Sequence, residues 1–402
     1  MTSVDEFRRE AATWLHDHSD QAPADYGAIC PPDSIDRAVA WQRTIFEAGY
    51  AGIHWPLVHG GRGLSPEHNA AWQFESAKAG VPAVLNMVGL VLAAGALLRF
   101  GTDDQQRRHL GATLNADHVW CQLFSEPGAG SDLAGLSTSA ERDGDHFVIN
   151  GQKVWCSGGR YSNWGILLAR TDPDAARHSG ISFFLLPMEL PRVEVRPLRQ
   201  MTGDAEFDEV FFSDVCLPAD HLLGPLHEGW GVAMAVLTSE RGHIGTSIIG
   251  LERRVASMAR VAEGHSMTPT ARDELARLIS TSSAYKAMAE RQGPIASVAA
   301  SLTKLGITEM MLDSAVLRAS VGGASAMLTG PDAAGVLAAP GGRIAGGTSQ
   351  VQRNIIGERL LGLPREPNNR VHDWYSGWVE ICRTGSNTNE RREHQVRQRS
   401  PA

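Results

Sequence analysis

The feature that most constrains the fold is a series of short β-rich segments enclosed by two helical stretches. The segments are rich in β-branched, aromatic and aliphatic residues and cover Val119–Phe124, His146–Ile149, Gln152–Trp155, Gly165–Ala169 and Ile181–Leu186. Asp143-Gly144 and Asn150-Gly151 lie in two of the breaks, and both pairs are typical of two-residue hairpin turns. Regularly spaced short strands with tight turns predict a small antiparallel sheet or barrel and exclude a Rossmann unit.

The residues before this β region favour helices. Apolar residues recur at helical spacing in Val39–Ile45 and Ala70–Ala77, and Thr102 followed by Asp103-Asp104 predicts a helix N-terminus. The glycine-rich segment at 54–63 has neither the preceding strand nor the Gly-Lys-Ser of a phosphate cradle, so we expect a helix–helix loop there.

The helical pattern returns beyond Glu228. One apolar stripe contains Val232, Val236, Leu237, Ile244 and Ile248, and further helices are expected at about 271–325 and 349–363. We therefore predict an α+β chain with an N-terminal helical domain over 1–117, a middle β domain over 118–226 and a C-terminal helical bundle over 227–382. The polar, arginine-rich residues 383–402 predict a disordered tail.

Composition excludes several classes of protein. The formal net charge of −8, from 37 basic and 45 acidic residues, argues against a nucleic-acid partner, which needs a concentrated positive surface. The five scattered cysteines form no CxxC pair, so neither a disulfide scaffold nor a structural metal is expected. Val81–Leu98 is apolar but interrupted, which favours a buried core helix over membrane insertion. With no apolar leader at the N-terminus, the expected location is the cytoplasm.

Three motifs carry the chemistry. The first is Phe124-Ser-Glu-Pro-Gly-Ala-Gly-Ser-Asp132, whose glycines let backbone N–H groups approach an anionic ligand closely. Alone, it could equally be a strand-to-loop turn. The second is Asn150-Gly-Gln-Lys-Val-Trp-Cys-Ser157, and the third is Gly346-Gly-Thr-Ser-Gln-Val-Gln-Arg353.

In this order and in a helical–β–helical setting, the three motifs resemble those of the acyl-CoA dehydrogenase family. The resemblance covers about residues 5–370. It implies that family's fold, with an N-terminal helical domain, a middle β domain and a C-terminal four-helix bundle. It also implies a flavoenzyme that binds FAD and removes two hydrogens across the Cα–Cβ bond of an acyl-CoA thioester, in fatty-acid or sterol side-chain β-oxidation. Electrons would pass to an electron-transfer flavoprotein or a similar acceptor.

The resemblance also assigns site residues by motif position. Ser125 would hydrogen-bond the pyrimidine side of the flavin, Trp155 would pack on its ring, and Ser157 would bond near N5, where the family more often has Thr. The full cofactor-binding set is Phe124, Ser125, Gly130, Ser131, Trp155, Ser157, Gly347, Thr348 and Gln350, and the substrate-binding set is Ser131, Thr238, Arg241 and Gly346. FAD would lie between the β domain and the C-terminal bundle.

The catalytic base departs from the commonest pattern. In much of the family a Glu directly precedes the Gly-Thr of the third motif, whereas this chain has Gly346, which carries no side chain. Other members place the base on the first long helix after the β domain, and the matching position here is Glu240. Glu240 lies four residues after Val236, on the apolar stripe, where partial desolvation would raise the pKa of its carboxyl towards that of a useful base.

Two alternatives stay open at this point. The chain could be a catalytically silent or flavin-supporting subunit of a heteromeric acyl-CoA dehydrogenase, or a flavin oxidase or monooxygenase on the same fold. Homotetrameric members use an Arg-x-x-Phe-Gly segment to reach a neighbour's FAD pyrophosphate, and residues 261–270 contain neither that Arg nor Phe-Gly. The expected assembly is therefore a homotetramer or an α₂β₂ heterotetramer with a sister subunit. Gly346 leaves space at the site, which favours a bulky or branched acyl group.

Overall fold

The computed structural model describes residues 2–24, 26, 29–243, 255–256, 258, 267–289 and 296–364. Within these ranges, the side chains of residues 238–243, 289 and 296–299 are not described. Residues 383–402, predicted as a disordered tail, and two members of the apolar stripe, Ile244 and Ile248, lie outside the described residues. The chain divides into two units, Met1–Ile356 and Gly357–Ala402.

The N-terminal region is helical, as predicted. Its helices are α1 (Val4–His18), α2 (Ile35–Glu47), α3 (Pro66–Ala79), α4 (Ala94–Phe100) and α5 (Asp103–Leu114). Thr102 is the N-cap of α5, since its hydroxyl accepts the Gln105 N–H at 3.2 Å and the Gln105 side chain accepts the Thr102 N–H at 3.1 Å. The 54–63 segment connects α2 to α3 with a single 3₁₀ turn, which confirms the predicted loop.

The apolar segment Val81–Leu98 packs in the core, as predicted, but only its second half is helical. A π-helical turn over Val88–Ala93 leads into α4, and Leu92, Ala94 and Leu97 are buried. In the described part of the chain, no helix is both long and apolar enough to cross a membrane.

The middle region is a single eight-stranded sheet. Its strands are β1 (Trp120–Leu123), β2 (Ser139–Asp143), β3 (His146–Ser157), β4 (Trp164–Arg170), β5 (Ile181–Pro187), β6 (Val193–Leu198), β7 (Phe207–Pro218) and β8 (Leu222–Leu223). The strand order is β6-β7-β3-β2-β4-β5-β8, with β1 paired to β4. Most pairs are antiparallel, as predicted, whereas β1 and β2 pair with β4 in parallel.

One of the two predicted hairpin turns is correct and the other is wrong. Asp143-Gly144 lies at the turn that joins β2 to β3. Asn150-Gly151 does not interrupt β3 and instead faces a bulge in β7, where Ser213 and Asp214 lie opposite Asn150. The Asn150 amide donates to the Asp214 carboxylate at 3.1 Å and accepts the Asp214 N–H at 2.8 Å. A Cβ on Gly151 would lie 2.5 Å from the Thr138 hydroxyl oxygen, so close packing explains this glycine.

Helix α6 (Gly229–His243) follows the sheet and begins against β5. A Cβ on Gly229 would lie 2.4 Å from the backbone nitrogen of Phe183, so only glycine permits this approach. Val232 and Val236 are buried in a core shared with Phe183 and with Leu97 of α4. The start of α6 is therefore fixed by both the sheet and the N-terminal helices.

The C-terminal region is again helical, in agreement with the predicted fold class. It contains α7 (Pro269–Ala289), α8 (Ala296–Gly322), α9 (Pro331–Ile344) and α10 (Ser349–Ile355), followed by a π-helical turn over Ile356–Leu360. Helices α7 and α8 share a small apolar core that includes Leu278, Ile307, Met310 and Leu317.

A histidine pair, with His109 buried and His118 half-buried, joins the N-terminal helices to the sheet. The Nδ1 atoms of His109 on α5 and His118 before β1 lie 3.2 Å apart, against the rings of Trp120 and Trp164. Burial, and then the neighbouring His118, lower the pKa of His109 from 6.5 to about 3. Burial also lowers the pKa of His118. Both imidazoles are therefore neutral in the folded protein at pH 7.

This pair predicts a loss of stability in mild acid. Because the pKa of His109 is depressed by folding, the unfolded chain takes up the proton first, and stability falls as pH drops below 6.5. We expect a slope of about 1 kcal/mol per pH unit between about pH 6 and 4.5 in urea unfolding. His109→Gln should flatten this slope, whereas substitution of the exposed His16 should leave it unchanged.

The wild type must be compared with His109→Gln because the titration of Asp208 has the opposite effect on folding stability. Burial raises the pKa of Asp208, so its protonation favours the folded state as pH falls. The Glu126 carboxyl, whose pKa is lowered to about 2, contributes only below its ordinary pKa of 4.5. Equal slopes in the wild type and in His109→Gln would contradict the assignment to the histidine pair.

Candidate active site

The first motif forms a tight turn at the end of β1. Glu126 and Ala129 exchange backbone hydrogen bonds of 3.0 Å each and close a loop around Pro127-Gly128. Phe124 is buried with its ring edge-on to Phe183. Ser125 is half-buried and Ser131 is exposed, and a Cβ on Gly128 or Gly130 would have no neighbour within 4 Å. The turn thus presents open backbone and two hydroxyls at the surface.

A buried ion pair holds this turn against the second motif. Lys153 on β3 has no exposed side-chain surface, and its Nζ lies 2.8 Å from Oε1 of Glu126 and donates to the Phe124 carbonyl at 3.1 Å. The Glu126 carboxylate also accepts the Ser137 N–H and hydroxyl, each at 2.7 Å, and the Thr138 N–H at 2.9 Å. All polar atoms of the pair therefore serve to fix the turn.

The pair is charged on both sides at neutral pH. Burial alone would raise the pKa of Glu126, but the Lys153 ammonium and the hydrogen bonds to the carboxylate outweigh it and lower the pKa to about 2. Burial lowers the pKa of Lys153 to about 8, against the opposing effect of Glu126. A charged pair this deeply buried is costly to break, because the remaining partner is left uncompensated.

Trp155 is the most conspicuous residue of the second motif. Its backbone is left-handed, with φ of +62°, at a bulge where the register of β3 on β7 shifts between Lys153 and Cys156. Its indole is 56% exposed, and its described ring contact is the edge of Phe207 at 5.6 Å. A left-handed aromatic residue costs on the order of 1–3 kcal/mol, and such strain is typical of functional sites.

The contacts bring the first two motifs together in one surface. The Val154 N–H donates to the Ser125 carbonyl at 2.9 Å, so Ser125 lies beside the strand that carries Trp155. Ser157 follows two residues later, half-buried and paired with Phe207. A flat, exposed indole on a strand whose neighbouring residue bonds the Ser125 segment is suited to an aromatic, polar ligand.

The third motif forms a separate turn between α9 and α10. Gly346 and Gly347 are both left-handed, with φ of 63° and 92°. Thr348 is the N-cap of α10, since its hydroxyl accepts the Val351 N–H at 3.2 Å, and Gln350 is exposed. Among the described residues, no backbone hydrogen bond joins this turn to the first two motifs.

The predicted base lies on α6. The backbone of Glu240 is helical, four residues beyond the buried Val236. The side chains of Thr238, Glu240 and Arg241 lie outside the described residues, so their roles stay predictions.

Sequence reasoning missed the polar groups that hold the turns in place. These are Glu126 and Lys153 in the β region, and Lys304 and Gln352 beside the third motif. The sequence does single out Lys153 and Lys304 to some extent, because the chain has only four lysines, Lys78, Lys153, Lys286 and Lys304. Lys153 is followed by Val154-Trp155-Cys156, and Lys304 lies between Leu302 and Leu305, so an unpaired lysine at either position would be costly to bury.

A known relative decides the family. The chain is 39% identical over 384 residues to an acyl-CoA dehydrogenase, IpdE1, of Mycobacterium tuberculosis, and the match covers 91% of this chain and 99% of that protein. The chain belongs to the acyl-CoA dehydrogenase family. The family's N-terminal, middle and C-terminal domains match residues 4–117, 121–215 and 227–361. This acyl-CoA dehydrogenase is thus an oxidoreductase.

Solved structures agree with this assignment. One is the Tcur3481-Tcur3483 steroid ACAD, with 26% identity, a TM-score of 0.76 and coverage of 90% of this chain and 98% of that chain. Another is the ChsE4-ChsE5 complex from Mycobacterium tuberculosis, with 26% identity, a TM-score of 0.73 and coverage of 91% and 99%. The acyl-CoA dehydrogenase described here therefore shares its fold with chains of two proteins that are each named for two components.

Proposed function

We propose that this chain desaturates an acyl-CoA thioester between its α and β carbons, with FAD bound at the surface formed by the first two motifs. The observation that carries the proposal is the exposed indole of Trp155, held in a left-handed backbone beside Ser125 and Ser157. The left-handed backbone lies at the bulge of β3, and it leaves the indole 56% exposed with the edge of Phe207 as an aromatic neighbour. A planar ligand stacked on the indole would account for this exposure.

The residues present fit FAD. Trp155 would pack on the isoalloxazine, Ser125 and Ser157 would hydrogen-bond its polar edge, and open backbone at Gly130 would accommodate the pyrophosphate next to Ser131. Thr348 and Gln350, with Gly347, would contact the adenosine half. When bound, FAD supplies the two-electron acceptor for the hydride from the β carbon.

Glu240 would take the α proton as general base. It follows the buried Val232 and Val236 at intervals of four residues on α6. Partial desolvation on that face would raise the pKa of its carboxyl and so help it to accept a proton. Gly346 cannot serve in its place. The turn at Gly346 would instead donate backbone N–H groups to the thioester carbonyl, which stabilises the negative charge that develops there when the proton leaves.

We further propose a polycyclic, steroid-derived acyl group as substrate. One protein of solved structure, at 26% identity, is named a steroid ACAD. A base placed on α6 and a glycine at 346 leave more space near the reacting carbons than a Glu at 346 would. Thr238 and Arg241, on the same helix as Glu240, would contact the substrate.

The same comparisons support a heteromeric assembly. Two of the similar solved structures are named for two components each, and residues 261–270 contain no Arg-x-x-Phe-Gly. A sister subunit would then complete the cofactor site, and an electron-transfer flavoprotein or a similar acceptor would reoxidise the enzyme. Without a cation beside it, the dianionic pyrophosphate would bind weakly to this chain alone.

A visible spectrum and a substrate panel test the proposal together. The chain is expressed alone and with candidate sister subunits, and the FAD-to-protein ratio is measured from the flavin absorbance at about 450 nm. We expect a ratio well below one for the chain alone and near one for the complex. The loaded enzyme should desaturate 3-oxochol-4-en-24-oyl-CoA faster than octanoyl-CoA or isovaleryl-CoA. A homotetramer with one FAD per chain would exclude the heteromer, and no desaturation by any loaded form would exclude the activity.

A further inference from the structure

A buried carboxylate lies between the two residues of β3 that are predicted to contact the flavin. Asp208 on β7 pairs with Cys156, which separates Trp155 from Ser157, and the Asp208 side chain has no exposed surface. Cys156 is also buried, whereas Trp155 is exposed and Ser157 is half-buried. The Asp208 carboxylate is therefore on the buried side of the strand pair that carries the proposed flavin surface.

This carboxylate holds the turn that follows Ser157. Its Oδ2 accepts the Arg160 N–H at 3.0 Å, and its Oδ1 lies 2.7 Å from Nε of the Arg160 side chain. The same guanidinium donates to the Ala205 carbonyl. Gly159 packs closely on the carboxylate, since a Cβ there would lie 3.2 Å from Oδ2. Asp208 thus fixes the chain at the second and third residues after Ser157.

The conformation of the turn is tightly restricted. Gly158 is left-handed, with φ of 63°, and a Cβ on it would lie 2.2 Å from the Tyr161 ring. Its carbonyl accepts the Ser162 N–H at 3.1 Å and the Ser162 hydroxyl at 2.9 Å. Ser157 is therefore held from both sides, by its pairing with β7 before the turn and by the contacts of Asp208 after it.

The contacts of Asp208 fix geometry more than they add stability. Burial raises the pKa of the Asp208 carboxyl, against the opposing hydrogen bond and charge of Arg160. Among the described residues, Oδ1 accepts no hydrogen bond, although Nε of Arg160 lies close to it. A buried ion pair contributes little net free energy of folding, because the desolvation of the two charges offsets their attraction.

We infer that Asp208 and Arg160 are positioning residues that hold the Ser157 hydroxyl at the flavin ring. The inference rests on the proposed function, since it takes FAD as the ligand of this surface and Ser157 as its partner near N5. Neither Asp208 nor Arg160 would touch the flavin or the substrate, and both would act through the backbone of the turn. Hydrogen bonds weaken steeply as their angle departs from linearity, and small displacements at a reacting centre lower the rate.

A double-mutant cycle with Ser157→Ala tests this coupling in the FAD-loaded holoenzyme or complex. In Asp208→Asn, the amide can satisfy only one contact, because its NH₂ faces either the Arg160 N–H or the Arg160 Nε. We expect kcat to fall by about tenfold in each single variant, with KM changed by less than about threefold. Because Asp208 would act through Ser157, the double variant should also fall by about tenfold, whereas independent effects would give about 100-fold.

A control variant and a second variant make the cycle specific. Asp214→Asn is the matched control, because it neutralises a carboxylate on the same strand that contacts Asn150 and Arg192 and not the turn after Ser157. It should keep kcat within about twofold, and its effect should add to that of Ser157→Ala. Arg160→Gln removes the same ion pair from the solvent side, so it tests the coupling even where Asp208→Asn does not fold.

The reduction potential of the bound flavin provides a readout that does not depend on turnover. Asp208→Asn and Arg160→Gln change the local charge in opposite directions, so a direct effect of charge would move the potential in opposite directions. Both variants release the turn, so displacement of Ser157 should move it in the same direction as Ser157→Ala. In a dye-coupled titration, we expect the ratio of reduced to oxidised flavin at a fixed potential to change by about threefold or more.

The outcomes separate the inference from the proposed function. Opposite shifts of the potential in Asp208→Asn and Arg160→Gln, additive losses of kcat with Ser157→Ala, or wild-type values in both variants would overturn the inference. Parallel shifts of the potential in a loaded protein that desaturates no acyl-CoA would support the inference and refute the proposed activity.

Discussion

Replacement of Glu240 by Gln is expected to lower kcat by about a thousand-fold while the enzyme keeps its flavin. A general base contributes typically 10²–10⁴ to the rate, and Gln preserves the size and the hydrogen-bonding capacity of the side chain but cannot accept the α proton. The FAD-to-protein ratio and the KM should therefore change little. Steady-state desaturation of the best substrate, with the flavin spectrum recorded on the same sample, measures all three quantities.

Two further measurements make this prediction specific. Glu228→Gln, one residue before α6 and exposed, is the matched control and should retain wild-type kcat. Exchange of the substrate α proton with solvent deuterium, followed by NMR, should also stop in Glu240→Gln, because it reports proton removal without oxidation. Unchanged desaturation in Glu240→Gln would show that another group removes the proton.

The fold followed from local signals because these were strong and consistent. Thr102 with Gln105 forms a capping box, and Asp143-Gly144 forms a hairpin turn, and both depend on residues within a few positions of each other. Asn150-Gly151 carries the same local signal as Asp143-Gly144 but lies within β3, opposite a bulge in β7. There, the Asn150 side chain bonds Asp214 on β7, 64 residues away, and this contact outweighs the turn preference.

The site was only partly predictable, because some of its contacts also join residues far apart in the sequence. Ser125, Trp155 and Ser157 were predicted from their motifs, and in the structure the Ser125 segment bonds the strand that carries Trp155 and Ser157. The groups that hold this surface were not found, because Lys153 pairs with Glu126 across 27 residues and Lys304 reaches Gly347 across 43. A sequence read one motif at a time contains no sign of which distant carbonyl or carboxylate a lysine will meet.

Removal of the Lys153 ammonium should strongly destabilise the β region. Lys153→Met leaves the Glu126 carboxylate buried without its counter-charge, and loss of one partner of a buried pair typically costs about 3–5 kcal/mol. The same change releases the Phe124 carbonyl, so the Ser125 segment should shift and the FAD-to-protein ratio should fall. Urea unfolding measures the free energy, and the flavin spectrum measures the ratio.

A control variant and a double variant distinguish the cost of the unpaired buried charge from the cost of lost packing. Lys78→Met removes an exposed lysine 3.7 Å from Glu75 and should cost less than about 0.5 kcal/mol, as surface pairs do. Adding Glu126→Gln to Lys153→Met removes the stranded charge but keeps an acceptor for the Ser137 and Thr138 N–H groups, so it should recover about 1–2 kcal/mol. A double variant less stable than Lys153→Met would show that the loss of unfolding free energy comes from packing around the lysine side chain. The buried charge would then not be what links the two motifs.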